Sequence, residues 1–423
     1  MDLRLLGFEY GLKQAENFQD LKFRLHRHLI GEIERDRLNL AEMSPAELAV
    51  YVRDTVSRYL LDKQLPVSGY DLDSLAEEMV DELTGYGPLE TLIKDDRIND
   101  ILVNGARAIF VERDGKLERT ALRFIDDDHV VRVIRRILAP LGRRIDESSP
   151  LVDARLPDGS RVNAVVPPIA LDGPCLSIRK FRQDPLQAGD LLSYGTFDTD
   201  LLAFLTTAVK RRCNILVSGG TGAGKTTLLN VLSRFISDDE RIVTIEDAAE
   251  LQLRHEHVVR LETRPPNVDG MGSVVARDLV RNALRMRPDR IVLGEVRGNE
   301  VMELLQAMNT GHDGCMSTVH ANNSADALLR LEMLAGLAGF QGKEQTLRQT
   351  IAASIELVVQ IGRLADGKRR ILAVVELVGV RDGQFVLNEL CRHDAATDRF
   401  ESGNARPVSP KLDDLRLGPG GFA

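Results

Sequence analysis

The run Gly219-Gly220-Thr221-Gly222-Ala223-Gly224-Lys225-Thr226 restricts this chain more than any other stretch of its sequence. It fits G-x-x-x-x-G-K-[ST], a pattern whose glycines let successive backbone N–H groups turn inward around an anion, where a Cβ would obstruct the approach. Lys225 supplies a point charge for the outer phosphates of a nucleotide, and the Thr226 hydroxyl suits Mg²⁺. The context agrees, because the apolar run Asn214-Ile215-Leu216-Val217 precedes the loop. A helix opening at Lys225-Thr226-Thr227 follows it and adds the positive end of its dipole. A loop of this kind belongs between a buried parallel strand and a helix, so an α/β unit is expected around it.

From about Phe197 to Arg381, strand and helix patterns alternate as that architecture requires. Asn214–Ser218, Ile242–Ile245, Ile291–Leu293 and Met316–Val319 read as buried strands. Upstream the grammar differs. Residues 1–84 read as a helical module, with Ser44-Pro45-Ala46-Glu47 as the start of one helix. Residues 85–183 mix helix with hairpins at Asn104-Gly105 and Leu156-Pro157-Asp158-Gly159-Ser160, an α+β pattern. Residues 184–195 read as a linker, 196–392 as the phosphate-loop domain, and 393–423 as a mobile tail. At 423 residues the chain is long enough for two or three such units.

Composition narrows the partners. The net charge of −9 argues against nucleic acid as the main partner, and the absence of Trp argues against a stacking platform for single strands. The four cysteines are scattered with no C-x-x-C pair, which argues against cysteine-held zinc and against a disulfide framework. No stretch approaches the apolar length of a membrane span and the first residues lack a signal-peptide pattern, so a cytoplasmic protein, or one peripheral to a membrane, is expected.

Hydrolysis at such a loop needs a carboxylate for metal and a group that aligns water. Two strand ends offer them: Glu246-Asp247, with Glu250 close behind, and Gly294-Glu295. From spacing alone Glu295 serves as metal ligand or as base, and the plainer alternative is a solvated acid. A third strand ends in His320, placed to bond a terminal phosphate or to be a structural histidine. Arg277, Arg281 and Arg285 form a helical stripe that reads as a solvated or salt-bridged face. Arg155, Arg161 and Arg179, on strand-like segments upstream, are candidates for an arginine finger.

Four ordered blocks, GGTGAGKTT (219–227), TIEDAAEL (244–251), RMRPDRIVLGEVRG (285–298) and TGHDGCMSTVHAN (310–322), resemble the secretion-traffic ATPases of type II and type IV secretion and type IV pili. In that family they are the Walker A, Asp box, Walker B and His box, and Gly-Glu is the usual Walker B ending. GYGPLETLIKDDRINDILVNG (85–105) and SPLVDARLPDGSRVNAVVPP (149–168) resemble the CpaF/TadA branch, the ATPases of tight-adherence (Flp) pili. The resemblance implies a RecA-like P-loop domain behind a PAS-like α+β domain, assembled as a homohexamer that uses ATP and Mg²⁺. It implies phosphate and Mg²⁺ binding by Lys225 and Thr226, water positioning by Glu246, a metal or base role for Glu295, and γ-phosphate sensing by His320. Arg155, Arg161 and Arg179 match the family's nucleotide-facing arginines. The implied work is pilus extrusion through an inner-membrane platform, with no specific nucleic acid. A type IV secretion or conjugation motor is the nearest alternative, and a DNA-translocating motor a more distant one.

Overall fold

The computed structural model describes residues 20–33, 35–38, 43–64, 72–113, 116–181, 185–266, 271–403 and 406–415. The chain divides into two compact units, Met1–Arg182 and Gln183–Ala423.

The first unit opens with three helices: α1 over residues 20–33, then α2 (Pro45–Asp62) and α3 (Leu72–Thr84). Of the helical module expected over residues 1–84, residues 1–19, 34, 39–42 and 65–71 lie outside the described residues. α2 begins where its local chemistry requires. The Ser44 Oγ accepts the Glu47 N–H at 3.3 Å, the Glu47 carboxylate accepts the Ser44 N–H at 2.8 Å, and Pro45 needs no donor at the first turn. Leucines spaced at four residues on α1 (Leu21, Leu25, Leu29) meet Val52 and Val56 of α2 and Leu75, Met79 and Leu83 of α3 in one core.

The same unit continues with α4 (Glu90–Lys94), β1 (Ile98–Asn104), β2 (Ala108–Arg113), β3 (Lys116–Arg119), α5 (Asp127–Leu138), β4 (Leu151–Arg155), β5 (Arg161–Val165) and β6 (Cys175–Arg179). These strands form an antiparallel sheet in the order β3-β2-β1-β6-β5-β4, the expected α+β arrangement. Val130, Val133, Ile134 and Ile137 of α5 share a core with the sheet. From α5, Arg136 donates to the Leu83 carbonyl at 2.8 Å and to the Gly85 carbonyl, tying the helical module to the sheet's own helix.

The second unit runs α6 (Ala188–Ser193), α7 (Thr199–Lys210), β7 (Ile215–Gly219), α8 (Lys225–Ser233), β8 (Ile242–Glu246), β9 (Val258–Glu262), α9 (Ala276–Ala283), β10 (Arg290–Leu293), α10 (Val301–Asn309), β11 (Met316–His320), α11 (Ser324–Leu337), α12 (Glu344–Ser354), β12 (Leu357–Arg363), β13 (Arg369–Arg381), β14 (Gln384–Asp394) and β15 (Arg399–Ser402). One sheet holds its strands in the order β15-β14-β13-β12-β7-β11-β10-β8-β9. β12 through β9 in that order run parallel, and β13 to β15 add an antiparallel flank. Every residue of β7, β8 and β10 is buried, as expected of central parallel strands with an apolar cluster on either side.

Two expectations need correction. Within residues 184–195, read as a linker, α6 forms, and Leu191 is buried in the same cluster as Phe197 and Phe204. Much of the expected mobile tail is also structured: β14 runs on to Asp394, β15 follows, and residues 406–415 pack onto the unit. Glu376 of β13, buried to 1% exposure, accepts the Val408 N–H at 2.9 Å and the Ser409 N–H at 2.6 Å. Leu412 and Leu415 complete the core. Two leucines in a polar stretch give no periodic signal, and their anchor lies about thirty residues upstream in the chain, so composition made the segment look loose.

Candidate functional site

Strand order builds the site. β7 leads into the phosphate loop and β10 leads to Glu295, and β11 is inserted between them. The residue ending β11 is His320, in register with Gly219, so the imidazole stands between the loop and the acid. Ligands in open α/β sheets collect at such carboxyl ends of strands.

The loop has the backbone it needs. Gly222 and Gly224 adopt positive φ, +69° and +99°, and Gly224 is the N-cap of α8. Lys225 is only 8% exposed, and its Nζ donates to the Gly220 carbonyl at 3.1 Å. No carboxylate pairs with it among the described residues. Burial pulls its pKa below the ordinary lysine value, with the nearby Glu295 partly opposing. An ammonium desolvated without a counter-ion, beside a loop of inward-turning amides, is a seat for an anion.

His320 links lysine to loop. Its Nδ1 lies 3.3 Å from Lys225 Nζ and its Nε2 3.1 Å from Thr221 Oγ1. Burial and then the Lys225 charge push its pKa down, so the ring is neutral at pH 7. The ammonium has only protons to give, so Nδ1 accepts and Nε2–H donates to Thr221. Glu295 Oε1 stands 4.0 Å from Nδ1.

The two acid blocks behave differently. Glu295 Oε2 accepts from Arg297 at 2.8 Å, and the same guanidinium reaches Asp247 Oδ2 at 3.4 Å, joining the ends of β10 and β8. Glu246 is 4% exposed. Its Oε2 accepts the amides of Glu250 and Leu251 at 2.7 and 2.9 Å, while its buried Oε1 has no partner among the described residues. Burial raises this carboxyl to about 7, against those two hydrogen bonds. Gly294 is glycine for a steric reason, since a Cβ there would lie 2.9 Å from Glu246 Cγ.

Lys225, Thr221, His320 and Glu295 therefore lie together, with Asp247 reached through Arg297. Thr226 and Thr227, half-buried on the first turn of α8, have no hydroxyl partner among the described residues. The Thr226 hydroxyl and the Glu295 carboxylate are hard oxygen donors of the kind Mg²⁺ selects, so the residues fit that ion. Arg155, Arg161 and Arg179 lie in the first unit and share one register row across β4, β5 and β6. Arg155 Nε donates to the Gly159 carbonyl at 3.3 Å and Arg179 Nε to Asp100 at 3.0 Å. In the stripe, Arg277 and Arg281 pair within the chain with Glu303, at 2.7 and 3.6 Å.

Two residues escaped the sequence reading. Arg297 sits inside a quoted block, two positions after Glu295, and that spacing was the available signal. Arg369, at the start of β13, donates from Nε to the Gly222 carbonyl at 3.1 Å. It is 144 positions beyond Lys225 in a basic run, Lys368-Arg369-Arg370, with nothing local to mark it.

The family described as Type II/IV secretion system protein matches residues 82–401. A putative conjugal transfer protein of Mycobacterium tuberculosis is 43% identical over 302 residues, covering 70% of this chain and 85% of that protein. The conjugal transfer protein TrbB of Rhizobium radiobacter is 33% identical over 297 residues, covering 69% of this chain and 88% of its own length. Among solved structures, the VirB11 ATPase of the Brucella suis type IV secretion system aligns at 28% identity with a TM-score of 0.38, over 71% of this chain and 95% of that one.

Proposed function

The chain belongs to the Type II/IV secretion system protein family, and from that premise we propose that it is an ATP-hydrolysing motor subunit of a type IV secretion or conjugation machine. The observation that carries the reading is Lys225, an ammonium buried at the end of the glycine loop without a carboxylate partner among the described residues, with His320 and Glu295 close by. The names of the relatives above favour conjugation over the pilus expected from the CpaF/TadA resemblance. A tight-adherence pilus motor remains the second reading, supported by the helical module of α1 to α3, almost all of which precedes the family match.

Within this reading, residues 219–227 cradle the phosphates and Lys225 neutralises the outermost. Thr226 and Glu295 would hold Mg²⁺, which when bound neutralises phosphate charge as a Lewis acid. We assign proton acceptance to Glu246, because a carboxyl near 7 matches a base working at neutral pH and Oε1 is uncommitted. His320, neutral and bridging Lys225 to Thr221, is rearranged by any group that takes the lysine's charge, and so reports the terminal phosphate. Arg155, Arg161 and Arg179 are carried as nucleotide-facing arginines. No described helix is long and apolar enough to cross a membrane. Within this reading the chain works in a homohexameric ring, peripheral to an inner-membrane platform on its cytoplasmic side.

Purified protein should hydrolyse ATP with Mg²⁺, and Lys225→Ala should abolish turnover; retained turnover refutes the site. Glu246→Gln should lower kcat with the Mg²⁺ requirement unchanged, whereas Glu295→Gln should raise the Mg²⁺ needed for half-activity. A chromosomal deletion that stops DNA or effector transfer but spares surface pili supports the conjugation reading. Loss of pili with transfer intact supports the pilus motor instead.

A further inference from the structure

A loop that offers its amides to an anion leaves its carbonyls to find donors elsewhere, in the protein or in water. Three of these carbonyls have identifiable donors. The Gly220 carbonyl accepts Lys225 Nζ at 3.1 Å, and the Gly224 carbonyl accepts the Leu228 N–H at 2.9 Å as α8 begins. The Gly222 carbonyl has one partner among the described residues, the Nε–H of Arg369 at 3.1 Å.

That arginine is fitted to the loop at a second point. A Cβ on Gly224 would lie 3.2 Å from Arg369 Cδ and 3.6 Å from Ile361 Cδ1, so the arginine stem and the end of β12 pack on the glycine that caps α8. The guanidinium pairs with no carboxylate among the described residues, whereas its neighbours are committed: Lys368 to Asp366 at 3.1 Å and Arg370 to Asp398 at 3.2 Å. Gly222 and Gly224, the two residues that Arg369 touches, are the two of positive φ in the loop.

We propose that Arg369 is a positioning residue for the phosphate loop, acting from the β12–β13 hairpin to hold the anion-ready backbone in place before any ligand arrives. The contribution to nucleotide affinity rests on the functional reading above; the ordering of the empty loop does not. Arg369 Nε–H is committed to a loop carbonyl, and so acts through the loop and not on the phosphates. Because β13 also carries Glu376, which grips residues 408 and 409, the same strand joins the loop to the C-terminal segment.

The test is hydrogen–deuterium exchange on the ligand-free protein, comparing Arg369→Ala with Lys368→Ala at the tip of the same hairpin. Arg369→Ala should speed exchange of the amides of residues 221–225 by about tenfold, the opening of a local unit that has lost one bond and one packing contact. Exchange in β12 and β13 should be unchanged, and Lys368→Ala should leave the loop as in the parent. Arg369→Lys should behave like the alanine variant, since no Nε–H remains at that point of the stem. Loop exchange unchanged in Arg369→Ala, or raised equally along the whole hairpin, overturns the proposal. If ADP binds the parent, its Kd should rise about fivefold in Arg369→Ala with the melting temperature preserved. If ADP does not bind, the functional reading fails and the exchange result still decides the role of Arg369.

Discussion

Lys225 and Glu246 are both charged groups in low-dielectric surroundings, and the sequence disclosed only the first. Lys225 was marked by the glycines before it, but its lack of a counter-ion is a property of the folded site. Burying an ammonium without a counter-ion costs stability, so Lys225→Met should lose nucleotide affinity while the ligand-free protein melts no lower than the parent. A drop of several degrees would mean that the lysine is a structural contact. Glu246 was named as a candidate from its strand-end position, and its protonation state was invisible there. Folded, its carboxyl stands at about 7 against an ordinary 4.5. A raised acid favours the fold while protonated, so its stabilisation is complete below pH 4.5 and lost as the pH climbs through 7. Glu246→Gln cannot ionise. Relative to the parent it should gain stability between pH 5 and pH 8, by about 2–3 kcal/mol in denaturant titrations. Parallel curves over that range would show that the carboxyl does not titrate there.

At the scale of elements, the strands that carry chemistry were the most legible part of the chain. β7, β8, β10 and β11 are short apolar runs each followed by a motif, and they lie where those runs predicted. What no local pattern contains is their order. β11 separates β7 from β10, and this insertion sets His320 between Lys225 and Glu295. The glycine at position 294 has the same kind of explanation, because β8 and β10 are adjacent and Glu246 occupies the space a side chain would need. Gly294→Ala should therefore displace the Glu246 carboxyl, cost about 1–3 kcal/mol in overpacking, and reduce turnover as severely as Glu246→Gln. Normal turnover would mean that Glu246 can shift without consequence. α6 and the segment at residues 406–415 were misread for the opposite reason: each is short and polar overall, and is ordered by one or two buried leucines.

For the whole molecule, the division into an antiparallel α+β unit and a parallel-sheet unit follows from the change of pattern along the chain, and the family match spans both. The second unit is closed from its far end. Lys411 bonds Glu356 at 2.7 Å and the Arg212 carbonyl at 3.0 Å, and Arg211 pairs with Asp414. A chain ending at Gly403 would strip the Glu376 carboxylate of its Val408 and Ser409 donors, leaving Asn388 Nδ2, and would leave the sites of Leu412 and Leu415 empty. Such a truncation should cost about 4 kcal/mol or more, read as a lower denaturant midpoint in the ligand-free protein. An unchanged midpoint would make the segment an accessory.

That closure bears on how the protein is made. Synthesis runs from the amino end, so the first unit can settle as soon as it clears the ribosome. The sheet that carries the phosphate loop reaches its full stability only later, because the leucines that seal its interior are translated nearly two hundred residues after Lys225. Until they emerge, the phosphate-loop half of the nascent polypeptide waits with an open seam, and a chaperone that shelters it has its longest task there.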